Sequence, residues 1–156
     1  MVTKESYFKL LKTRGGNALR SFELWRECIA IFFFGSMGFW IPFFFNWEGY
    51  DRLFDPKTIF TFGVATIVMI LEARLFLGVE QDNRSPNVTK LIIFVGSFTT
   101  ILFYFKSISI YPSDPESAFC LVILGLFFTF LIWLFNFINR SDFDGSGLTG
   151  SLGGDV

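Results

Sequence analysis

The sequence predicts an all-α fold: an integral membrane four-helix transmembrane bundle with an N-terminal amphipathic segment. Three observations predict it. First, apolar runs at 28–47, 58–79, 91–105 and 117–139 fill the middle of the 156-residue chain. The first and last of these hold no Asp, Glu, Lys or Arg, and each has the roughly 20 residues that a membrane-crossing helix needs. Second, 52% of the chain is hydrophobic, with 24 phenylalanines, which leaves only short loops and two termini outside the runs. Third, Asp55-Pro56, Ser85-Pro86 and Asp114-Pro115 each pair an N-cap side chain with a proline at the first helical position.

Residues 1–27 come first and read as a cytoplasmic, basic, amphipathic segment. Two short helices broken at Gly15-Gly16 are expected, with Tyr7, Phe8 and Leu11 on one face and Leu19, Phe22 and Trp25 on another. The segment is too charged for a signal peptide, so the first span is expected to act as an uncleaved insertion signal. That span covers 28–47. Pro42 lacks an N–H and is expected to kink it, between the triplets Phe32-Phe33-Phe34 and Phe43-Phe44-Phe45.

The second and third spans are placed at about 56–79 and 86–109. A re-entrant hairpin would bury the polar turn at 80–87 in hydrocarbon, where its backbone groups find no partners, so two full spans fit better. The fourth span covers 115–138, and Glu116 adds a favourable charge to its first turn. Residues 140–156, rich in Gly, Ser and Asp, read as a flexible cytoplasmic tail.

Charge sets the expected orientation. Lys4, Lys9, Lys12, Arg14, Arg20, Arg26, Arg74, Arg84, Lys90 and Arg140 fall on one side, against Arg52, Lys57 and Lys106 on the other. Ten against three puts both termini of a multi-pass membrane protein in the cytoplasm. Trp47, Tyr50, Tyr104 and Tyr111 then belong to the outer aromatic belt and Trp25 to the inner one. The three glycosylation sequons, at Asn83, Asn87 and Asn139, fall on the cytoplasmic side and read as chance.

Small and polar residues recur at helical spacing in every span. Gly35, Gly38, Pro42, Gly96 and Gly125 are candidates for close packing or gating. Glu72, Arg74 and Asn136 are the intramembrane polar candidates. Arg74 stands two residues from Glu72, on another side of the helix, so Arg20, Arg26, Asn136 or a neighbouring subunit are the carboxylate's candidate partners. Lys9, Lys12, Arg14, Arg20 and Arg26 are candidate contacts for a partner or for lipid.

The chain has no histidine and two cysteines, Cys28 and Cys120, which fall at opposite membrane surfaces. That removes the commonest general base and metal ligand and argues against a disulfide. No catalytic set, metal cluster or phosphate-binding glycine loop is present, so no enzyme, cofactor or direct nucleic-acid binding is expected. Two readings remain. One is a homo-oligomeric scaffold or sensor that couples membrane perturbation to a cytosolic protein. The alternative is a pore or channel, with a phenylalanine constriction that gates by dewetting.

In its size, four spans and basic cytoplasmic N-terminus, the chain resembles the membrane subunit of the bacterial Kiwa anti-phage defence system. The resemblance is one of size and topology over the whole length. It implies an inner-membrane homo-oligomer, a cytosolic partner subunit that binds nucleic acid, and a role in sensing infection at the envelope. No residue role follows from it.

Overall fold

A computed structural model describes residues 7–46, 55–72 and 86–139. Arg74, Ser85, the end of the second predicted span and the tail lie outside them. Among the described residues the structure is all-helical, with no strand. Helix α1 covers Tyr7–Arg20, α2 Phe22–Cys28, α3 Met37–Phe44, α4 Pro56–Leu71, α5 Pro86–Ile110 and α6 Pro115–Ile138. A π-helical stretch, Ile29–Phe34, continues α2.

Among the described residues two helices, where four were expected, have the length and apolarity to cross a membrane: Val88–Ile110 and Pro115–Ile138. Helix α4 is apolar but shorter, at 16 residues. The first run, expected to be one span, is broken. The break falls at Gly35-Ser36 rather than at Pro42, which stays inside α3. Side-chain hydrogen bonds explain its place. The Ser36 hydroxyl donates to the carbonyls of Phe32 and Phe33, and the Trp40 indole also donates to Phe33 at 3.0 Å. These bonds occupy carbonyls that a continuing helix would use. The Gly35 N–H meanwhile reaches back to the Ala30 carbonyl at 2.9 Å, in the wider π pattern.

The N-terminal segment also differs from expectation. Helix α1 runs unbroken through Gly15-Gly16, and the chain turns at Ser21 instead. The Ser21 hydroxyl accepts the Leu24 N–H at 3.3 Å and so caps α2. Gly15 earns its place by packing: a Cβ built there would stand 3.9 Å from Ile138 Cδ1, so α1 lies close against the end of α6. Arg14 and Ala18 are buried nearby on α1. Tertiary contact here outweighs the roughly 1 kcal/mol by which glycine disfavours a helix.

Helices α4 and α6 start from aspartate caps. Asp55 Oδ2 accepts the N–H groups of Lys57 and Thr58, and Asp114 Oδ1 accepts that of Ser117. Helices α4, α5 and α6 pack together around Ile59, Ile67, Tyr104 and Val122. A second cluster, which includes Ala18, Leu24, Ile70, Ile93, Trp133 and Phe137, ties α1 and α2 to this block. Phe32 pins the π-helical stretch to it, with its ring edge-on to Phe62 of α4 and to Phe130 and Trp133 of α6.

The polarity of α5 is inverted relative to a helix in water. Its buried stripe is Thr89, Ile93, Ser97, Thr100, Tyr104 and Ser107. Its exposed face carries Leu91, Phe94, Phe98, Leu102 and Phe105, each more than half exposed. Water would drive those two sets to exchange places.

Candidate functional site

The buried stripe of α5 meets α4 and α6 in a seam lined by hydroxyl groups. At one end the Ser107 hydroxyl donates to the Ala118 carbonyl across the α5–α6 pair at 2.7 Å. Deeper in, Tyr104 is fully buried and its hydroxyl lies 2.9 Å from that of Thr129. Two glycines make room for the ring. A Cβ on Gly63 of α4 would run into the phenol itself, and one on Gly125 of α6 would stand 2.8 Å from Cε1. Tyr104 is therefore not an interfacial belt residue, as expected, but the central wedge of the bundle.

The other hydroxyls of the seam bond back to their own helices. Thr66 donates to Phe62, Thr100 to Gly96 and Thr129 to Gly125, at 2.8–2.9 Å. Back-bonding hides a hydroxyl from an apolar neighbour without a second helix. Ser97 is the exception among the described residues: its Oγ is fully buried and meets no partner.

The expected site residues do not converge on one place. Asn136 is buried on α6, while Glu72 lies exposed at the C-cap of α4. Arg20 and Arg26 are exposed on α1 and α2, so the carboxylate is not buried against any of its three candidate partners within the chain. Gly125 packs on Tyr104, and Gly96 lies on Ile132, where a Cβ would stand 3.4 Å away. Gly35 nears Phe62 at the same distance, and Pro42 is buried. Among the described residues nothing lies within 4 Å of a Cβ built on Gly38. Lys9 and Lys12 are exposed on α1, whereas Arg14 is only 3% exposed.

Gly63 and Ser97 escaped the sequence reading, which gave Tyr104 only a place in the aromatic belt. Gly63 carried a usable signal: it follows Ile59 and precedes Ile67 by four residues, on the buried face of α4. Among the described residues no three Cys, Asp or Glu gather where a metal ion could sit.

No protein-family model, curated protein or solved structure matches this chain. The resemblance to the Kiwa membrane subunit gains no support from them.

Proposed function

We propose that this chain is a membrane-embedded scaffold or sensor that hands the state of the bilayer to a soluble partner on the cytoplasmic side. The observation that carries this reading is the seating of α1. This helix bears Lys9, Lys12, Arg14 and Arg20, with no acidic residue, and it lies against the last turn of α6. Helix α6 has the length and apolarity to span a bilayer, and it holds one wall of the Tyr104 seam. A basic surface helix fastened to a spanning helix has the form of a relay between bilayer and cytoplasm. The inverted polarity of α5 supports lipid as the surroundings, because an apolar solvent favours such an exposed face.

In this reading α4, α5, α6 and the broken first run make up the membrane domain. Both termini are cytoplasmic, the membrane is the bacterial inner membrane, and copies of the chain associate. A role in anti-phage defence belongs to the same proposal and rests on the resemblance in size and topology. The pore reading has weaker support. Within one chain the seam is plugged by the Tyr104 ring between Gly63 and Gly125.

The test is purification of the tagged chain from its native cell in mild detergent, followed by intact-complex mass spectrometry. A complex of several copies with a soluble protein is expected. A closed homo-oligomer with nothing attached, conducting ions in planar bilayers, would overturn the proposal in favour of the pore.

A further inference from the structure

Helices α5 and α6 share an apolar groove in which α4 takes no part. Its volume is about 390 Å³, and Ile92, Gly96, Leu131, Ile132, Phe135 and Ile138 line it. Gly96 keeps it open, since a Cβ there would already reach Ile132 at 3.4 Å and any longer side chain would enter the groove. One end of the groove is Ile138, whose Cδ1 approaches Gly15 of α1. The groove therefore stops beneath a helix that carries three exposed cations, Lys9, Lys12 and Arg20, and no anion. Lys12, exposed, stands one turn before Gly15.

We propose that this groove is a phospholipid site. One acyl chain lies between α5 and α6, and an anionic headgroup sits among the cations of α1. The site rests on the membrane reading above and deepens it, because it names what the α1–α6 junction would sense. Its selectivity comes from the headgroup. Lipid tails are as apolar as the groove walls, so the chain gains shape-matched contacts rather than a hydrophobic driving force. Basic side chains at an inner surface favour anionic lipid over zwitterionic lipid.

The experiment uses the full chain in nanodiscs of phosphatidylglycerol and phosphatidylcholine in equal parts, with retained lipid read by intact mass spectrometry. The wild type should keep phosphatidylglycerol over phosphatidylcholine by roughly tenfold, a factor that corresponds to about 1.4 kcal/mol. Gly96→Leu should fill the groove and remove most of the retained lipid. Leu131→Trp should do the same from a position that is already 39% exposed, which guards against a folding defect in the first variant. Lys12→Gln combined with Arg20→Gln should erase the preference between headgroups while the acyl chain is still held. Leu102→Trp, exposed and away from the groove, should change nothing. Equal retention of both lipids by the wild type, or unchanged retention in both groove-filling variants, would overturn the site. Loss of a chain–chain contact in those variants, with lipid retention unchanged, would assign the groove to a second copy and overturn it too. Release of the wild type from membranes by alkaline carbonate would overturn the membrane reading itself, an outcome separate from these.

Discussion

Tyr104 occupies space that two glycines on neighbouring helices leave for it. Gly63→Ala should therefore be expensive, because the new methyl meets a ring with no room to turn. Overpacking of this kind costs about 1–3 kcal/mol, read as a lower thermal midpoint in detergent micelles by circular dichroism. The loss should shrink when Gly63→Ala is combined with Tyr104→Ala, since the two residues compete for one volume. Tyr104→Phe should be mild, about 0.6 kcal/mol, because the Thr129 hydroxyl keeps its bond to Gly125. None of this was plain at the level of single residues in the sequence. A tyrosine near the end of an apolar run looks interfacial, and only the meeting of three helices makes it central.

The starts of α4 and α6, by contrast, were readable, because a cap needs only residues within one turn. Asp55→Ala should cost about 1 kcal/mol of α4 stability, seen in the same melts. Asp114 offers a pH test. The Ser117 side chain and backbone hydrogen-bond to its carboxylate and hold its pKa below the ordinary 3.8. A depressed pKa gives stability that is complete above 3.8 and lost as pH falls through the lower, folded-state value. Asp114→Asn should therefore flatten stability against pH in the acid range, below about pH 4, and leave its neutral-pH slope unchanged. Breaks inside helices were harder to read. Pro42 and Gly15-Gly16 are the usual breakers, yet the chain breaks at Ser36, where hydroxyl and indole take the carbonyls, and at Ser21. The helix runs on through Gly15-Gly16 where Gly15 packs on Ile138, a partner more than a hundred residues away that no local pattern announces.

For the whole molecule, the pattern most legible in the sequence was the string of apolar runs, and α5 and α6 match two of them closely. The first run failed as a single element because composition does not report side-chain bonds to carbonyls. Glu72 lies exposed at the end of α4, so Glu72→Gln should change the stability of the single chain by less than about 0.5 kcal/mol. If a neighbouring subunit meets that carboxylate, oligomer mass should fall in the same variant, and light scattering of the detergent complex checks it. The Tyr104 wedge also constrains motion. Sliding α4 or α6 along α5 by about one turn would replace a glycine at the ring with a bulkier residue of the same face, Ile59 or Ile67 on α4 and Val122 or Thr129 on α6. Piston strokes between these helices are thereby locked out, and the three are left to tilt as one lever. Helix α1, seated on the far end of α6, lies at the tip of that lever, so in the proposed relay a small change of helix angle would give it the largest displacement.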